Sequence, residues 1–366
     1  MNTVEELLMG RSVLVCCGSG GVGKTTVAAA LGIAGAQRGR RACIITIDPA
    51  RRLADALDAA GLSNEPRAIE GDFDGELFAV MLDARATFDD LVRRYATDEE
   101  QVQEILTNAI YANLVSSLSG TQEYMATEKL FELHESGAFD LIVVDTPPSR
   151  AALDFLDAPN RLASFIDNRI FRLMLSPGKS YFKPLTLGSQ LLLRTIARVA
   201  GSEIVDDAIA FFRAFEGMED GFKARASSVQ NMLADTSTAF VLITAPRRDA
   251  INEAMFFAQR LASSHHAIDA LVVNRVFPDF GGPIVASRVV ESDTPLGALI
   301  ANLATMSAIS VRDDALIGDL SALVSPSPLV RVPFLSRDVH DLSSLTDVAR
   351  YLLGELPWER GEGSHR

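Results

Sequence analysis

Gly18-Ser19-Gly20-Gly21-Val22-Gly23-Lys24-Thr25 is the stretch on which the fold turns. The apolar run Val13–Cys17 precedes it and the helix-like run Thr26–Arg38 follows, so the glycines fall at a strand-to-helix turn, the context this pattern requires. Glycine lets successive backbone N–H groups turn inward around anionic oxygens, and the helix N-terminus adds a favourable dipole. In such a turn Lys24 bridges the β- and γ-phosphates of a nucleotide. Thr25 offers its hydroxyl to Mg2+, a small ion that keeps several of its waters. Gly18 to Thr26 is therefore the candidate nucleotide site; a glycine-rich turn without ligand is the competing reading, against which the complete motif in its proper context weighs.

Moving outward, short β-branched apolar runs alternate with longer helical patterns, as parallel strands joined by helical crossovers do. Strands are expected near Ser12–Cys17, Arg41–Ile47, Glu76–Leu82, Asp140–Asp145, Thr238–Thr244, Asp269–Asn274 and Pro328–Val332. The fold class is α/β, a three-layer arrangement around a mostly parallel sheet of seven or eight strands, with a helical insertion. Two of these strands end in an acid. Asp48 follows the second, and the carboxyl ends of parallel strands are where open α/β sheets bind ligands, so it can orient or deprotonate an attacking water. It also suits a helix cap, with Pro49 at the first helical position. Asp145 closes Asp140-Leu-Ile-Val-Val-Asp145 and has the place of an acid that reaches Mg2+ through a bound water.

Two intervals break the alternation, Thr87–Leu133 and Ala151–Ala234, and read as helical. In the second, Ile204, Ala208, Phe211, Phe215, Met218, Phe222, Ala226, Val229 and Leu233 recur at three- and four-residue steps and share one helix face, most simply a core-packing face. The chain divides accordingly into a discontinuous core of residues 1–86, 120–150 and 236–353, a helical subdomain of 87–119 and 151–235, and a flexible tail of 354–366.

Composition narrows the partners. With 366 residues, 48% of them hydrophobic, the chain can bury a large core. A formal charge of −14 repels polyanions, so no nucleic-acid partner is expected. Cys16, Cys17 and Cys43 sit in apolar strand segments and form no Cys-x-x-Cys pair, so no zinc site and no disulfide framework are expected. The N-terminus carries two glutamates and no basic residue before Arg11, unlike a secretory leader, and the long uncharged stretches are interrupted by polar residues. A cytoplasmic protein is expected, with peripheral contact at a membrane left open.

The loop Gly18–Thr26, with Asp48-Pro49-Ala50 and Asp145-Thr146-Pro147-Pro148-Ser149, resembles the arsenite-pump and tail-anchored-protein-targeting ATPase family, within the deviant Walker-A class. Ser119–Met125 and Leu153–Pro159 resemble an actinobacterial branch of it. The likeness implies an ATP hydrolase that works as a dimeric switch. Asp48 and Lys24 would be catalytic, Thr25 would bind Mg2+ directly, and Asp145 and Asp48 would do so through water. Asn274 would recognise adenine and Pro333-Phe334 would close over the base. GTP is disfavoured, because Asn274-Arg275 lacks the Lys and Asp that usually follow such an asparagine.

The departures from the family pattern carry their own expectations. Ser19 stands where the family has a signature lysine that reaches the opposite subunit's phosphates. Hydrolysis is then slow in the chain alone, or a paralogous subunit retaining the lysine completes a heterodimer; a homodimer is the alternative. Arg169, Arg172, Lys179, Lys183, Arg194 and Arg198 are interleaved with apolar residues including Phe171, Met174, Leu175 and Phe182, with no acid between Asp167 and Glu203. By resemblance this island would receive a hydrophobic client helix or a membrane-protein partner; contact with an anionic membrane and an ordinary packed helix pair are the other readings. An energy-coupling subunit for anion transport and a weakly hydrolysing ATP sensor are the rival functions.

Overall fold

A computed structural model of the chain describes residues 3–47, 52–59, 61–109, 111–112, 121–147, 149–167, 207, 210–211, 213–264, 266–278 and 294–356. Its frame is one eight-stranded sheet in the order β3-β4-β2-β5-β1-β6-β7-β8. The strands are β1 Val13–Gly18, β2 Arg41–Thr46, β3 Arg67–Ile69, β4 Glu76–Met81, β5 Leu141–Asp145, β6 Thr238–Thr244, β7 Ala270–Val276 and β8 Leu329–Pro333. All neighbours pair in parallel except β3 and β4, which are antiparallel. Seven strands coincide with the runs expected from the sequence. The eighth, β3, is a three-residue edge strand whose only buried residue is Ile69, too short to show alternation.

The central strands read as continuous apolar runs because both faces are covered: every residue of β1, β5 and β6 is buried. The helix Lys24–Gln37 lies against this sheet, and every residue from Val27 to Ala36 is buried. Seven of those ten are alanine or glycine, and small side chains allow this close approach. A helix buried on all sides shows no amphipathic stripe, which is how this one reads in sequence.

By contacts the chain forms two compact units. One comprises residues 1–82, 132–153 and 234–366 and holds the sheet; the other comprises 83–131 and 154–233. The second unit has its own apolar cluster, in which Phe88, Tyr95, Tyr111, Phe211, Phe215 and Phe222 pack at tilted angles. It also holds a buried ion pair, Arg225 Nε to Glu128 Oε1 at 2.7 Å, with the guanidinium 4.2 Å from the centre of the Phe131 ring.

The described part of the apolar stripe, Phe211 to Leu233, is buried, as core packing requires. It does not lie on one continuous helix. A turn at residues 215–218, with Gly217 at φ +90°, interrupts it, and the helix Glu219–Ala234 starts anew beyond. A three- and four-residue rhythm survives such a turn, so periodicity alone does not register it. Ile204 and Ala208 lie outside the described residues, as do Phe171, Met174, Leu175 and Phe182. Among the described residues no helix is long and apolar enough to cross a membrane.

Candidate functional site

The strand order sets β2, β5 and β1 side by side, so Thr46, Asp145 and Gly18 end three neighbouring parallel strands. The register is direct: Asp145 pairs with Thr46 on one side and with Cys16 on the other. The loop after β1 turns over these ends into the helix Lys24–Gln37. Its last residue before the helix, Gly23, has φ +94°, and a Cβ there would sit 2.2 Å from Asn274 Nδ2. Left-handed backbone costs an L-residue about 1–2 kcal/mol, so both conformation and space call for glycine at this position.

A pocket of about 230 Å3 opens at the helix start. The loop contributes Gly20, Gly21, Gly23, Lys24, Thr25 and Thr26, while Arg52, Thr146, Arg275 and Val339 come from elsewhere in the same unit. Among the described residues that line it, the charged ones are Lys24, Arg52 and Arg275, all cationic. Such a lining favours an anion. Lys24 is buried, and its ammonium donates to the Ser19 carbonyl at 2.9 Å. The Ser19 hydroxyl is buried and has no hydrogen-bond partner among the described residues.

Asp145 is 1% exposed and receives two hydroxyls on Oδ2, from Thr25 at 2.8 Å and from Thr46 at 3.0 Å. A threonine hydroxyl has one proton. Because Thr25 gives its proton to the carboxylate, its lone pairs are directed elsewhere and suit a cation. Thr146, after Asp145, donates to the Cys16 carbonyl at 2.6 Å and so ties the segment beyond β5 to β1. One residue past the end of β2, Ile47 N–H donates to the Asp145 carbonyl at 3.1 Å. Asp48, Pro49 and Ala50 lie outside the described residues; the chain resumes in the helix Arg52–Ala56.

Asn274 ends on the loop. Its Nδ2 donates to the Val22 carbonyl at 2.9 Å, and its Oδ1 accepts from Arg275 N–H at 2.9 Å. Pro333 ends β8 and Phe334 stacks on Phe277, with ring centres 5.6 Å apart and planes 7° from parallel. The structure thus brings together Gly18 to Thr26, Asp145 and Asn274. Thr46 and Val339 were not singled out in the sequence. Thr46 does stand two residues before Asp48, a strand period, but nothing in the sequence links Val339 to the loop.

Residues 11–282 match the sequence profile of the family described as Anion-transporting ATPase. The chain belongs to this family. The ATPase is also similar along most of its length to individual proteins. It is 21% identical to the putative arsenical pump-driving ATPase 1 of Aquifex aeolicus, over 94% of this chain and 79% of that protein. It is 28% identical to ATPase ASNA1 homolog 1 of Paramecium tetraurelia, over 72% of this chain and 74% of that protein. It is 24% identical to ATPase GET3C of Arabidopsis thaliana, over 93% and 81%. The loop, Asp145 and Asn274 all lie inside the matched interval of this ATPase, whereas Pro333, Phe334 and Val339 lie beyond it.

Proposed function

We propose that this ATPase is a Mg2+-dependent switch of the arsenite-pump and tail-anchored-protein-targeting type, in which the ATP cycle rearranges the helical unit around a client or partner. The observation that carries the reading is the contact between Thr25 and Asp145 at the foot of a cationic phosphate pocket. One hydroxyl and one carboxylate cannot cage a metal. Among the described residues no group of three or more His, Cys, Asp or Glu gathers, so the donor set fits an ion that takes its other ligands from phosphate and water. Mg2+ fits that description, and when bound it supplies charge to neutralise the phosphoryl oxygens.

In this reading Lys24 binds the β- and γ-phosphates, Thr25 holds the metal, and Asp145 orients Thr25 and a metal-bound water. Asp48 positions the attacking water. Asn274 retains one amide proton and one lone pair for adenine after its contacts with Val22 and Arg275, and Pro333-Phe334 flanks the base. Two subunits meet over the nucleotide in the cytoplasm. Phe171, Met174, Leu175 and Phe182 supply the client surface.

A second reading rests on Ser19, whose short uncharged side chain offers no cation to an opposite subunit. Here the chain is the weakly hydrolysing half of a heterodimer with a paralogue that keeps the lysine. Steady-state phosphate release by the purified chain, with and without Mg2+, separates the two. Magnesium-dependent turnover that rises cooperatively with enzyme concentration supports the self-sufficient switch. Nucleotide binding with negligible turnover supports the heterodimer. Lys24→Ala is expected to abolish nucleotide binding and Asp48→Asn to spare binding while stopping turnover; ATP affinity unchanged in Lys24→Ala would remove the phosphate assignment.

A further inference from the structure

The pairing of β7 with β8 slips between Val273 and Val276, so the two residues in the irregularity are Asn274 and Arg275. Arg275 has φ +60°, a left-handed conformation that a residue with a Cβ adopts only when its surroundings impose it. Bulges of this kind re-aim side chains near functional sites. What this one re-aims is visible: Arg275 Nη1 donates to the Gly21 carbonyl at 3.3 Å, and Asn274 Nδ2 donates to the Val22 carbonyl at 2.9 Å. The two donors are linked by the bond from Arg275 N–H to Asn274 Oδ1. Two consecutive side chains from β7 therefore grip two consecutive carbonyls of the loop.

A trans peptide carries its C=O and its N–H on opposite edges of one plane. The Gly21 carbonyl shares its plane with Val22 N–H, and the Val22 carbonyl with Gly23 N–H. Fixing both carbonyls on the β7 side turns both N–H groups to the other side. We infer that Asn274 and Arg275 form a clamp that pre-sets the Val22 and Gly23 amides toward the phosphates, with Arg275 a positioning residue for nucleotide affinity. The contact is through backbone carbonyls, so the clamp acts on any polyphosphate whatever base is attached. It also accounts for a strained arginine at the rim of the pocket, where its charge adds to that of Lys24 and Arg52.

This inference rests on the reading of the loop as a phosphate cradle, and the test separates the two. ADP and inorganic tripolyphosphate, which has no base or sugar, are titrated by calorimetry into the wild type, Arg275→Gly and Arg275→Lys. Glycine keeps the left-handed backbone without strain, so Arg275→Gly removes the grip and not the bulge, and its unliganded thermal midpoint should not fall. Wild type should bind both probes. Arg275→Gly should weaken both by the same factor, about tenfold, and Arg275→Lys should recover part of the loss. Tripolyphosphate bound equally well by Arg275→Gly and wild type overturns the clamp, as does a loss confined to ADP, which would place Arg275 on the sugar or base. Failure of the wild type to bind either probe defeats the cradle itself.

Discussion

The Thr25 hydroxyl donates to Asp145 Oδ2 at 2.8 Å, joining residues 120 apart in sequence and tying the start of the loop helix to the end of β5. Either partner lost should cost turnover more than folding, because the bond orients an oxygen and adds little to the core. Thr25→Val keeps the shape and removes the oxygen. Its kcat is expected to fall about 100-fold or more, by analogy with removing one preorganised polar group from a catalytic site. Phosphate release against Mg2+ concentration checks this; a kcat within threefold of wild type would exclude Thr25 from the metal site.

Gly23→Ala places a methyl 2.2 Å from Asn274 Nδ2 at φ +94°. The left-handed backbone alone costs about 1–2 kcal/mol, and Asn274 must leave the Val22 carbonyl to make room. Urea unfolding should show a destabilisation of that order or more, together with weaker ADP binding. Unchanged stability and affinity would mean that the loop relaxes freely.

The three cysteines are all buried. Burial holds the Cys17 thiol up at about 12, and burial together with the neighbouring Asp145 carboxylate lifts Cys16 well above its ordinary value. The thiolate is the reactive form, so neither residue is nucleophilic near neutrality. A chromogenic thiol reagent at about pH 8 should titrate no thiol in the native protein and three after denaturation. Rapid reaction of one thiol in the native state would contradict the packing of β1 and β2.

Asp313 is 1% exposed, and burial raises its carboxyl above the ordinary value against the opposing pull of Arg312 and the Phe277 N–H. The folded state then binds this proton more tightly than the unfolded chain, so its stabilising effect is complete at low pH and is lost as pH rises through the raised folded value. Asp313→Asn does not titrate. Relative to wild type it should gain stability between about pH 4 and about pH 7, read by urea unfolding at both. A stability difference that stays constant with pH would refute the assignment.

Much of this is legible in the amino-acid sequence. The parallel strands are written as unbroken apolar runs because helices cover both faces, and the glycine-rich loop announces itself by sitting between a strand and a helix. Asp145 could be picked out because it ends such a run. What stayed hidden depends on lateral pairing. Thr46 reaches Asp145 only because β2 and β5 are neighbours, and the grip of Asn274 on Val22 needs β7 to bulge beside the loop. The turn at Gly217 was missed for another reason, since a helix can stop and restart in phase.

The sheet's margins have a bearing on how two copies could meet. One border strand, β3, has three residues and runs against its neighbour; the other, β8, has five and stops at a proline. Among the described residues neither offers the long row of free amides and carbonyls on which a second molecule could extend the ladder. Self-association by strand addition is thereby discouraged at both ends. In the switch proposed above, subunits that pair through helices and loops would have no hydrogen-bonded seam to tear when the nucleotide changes.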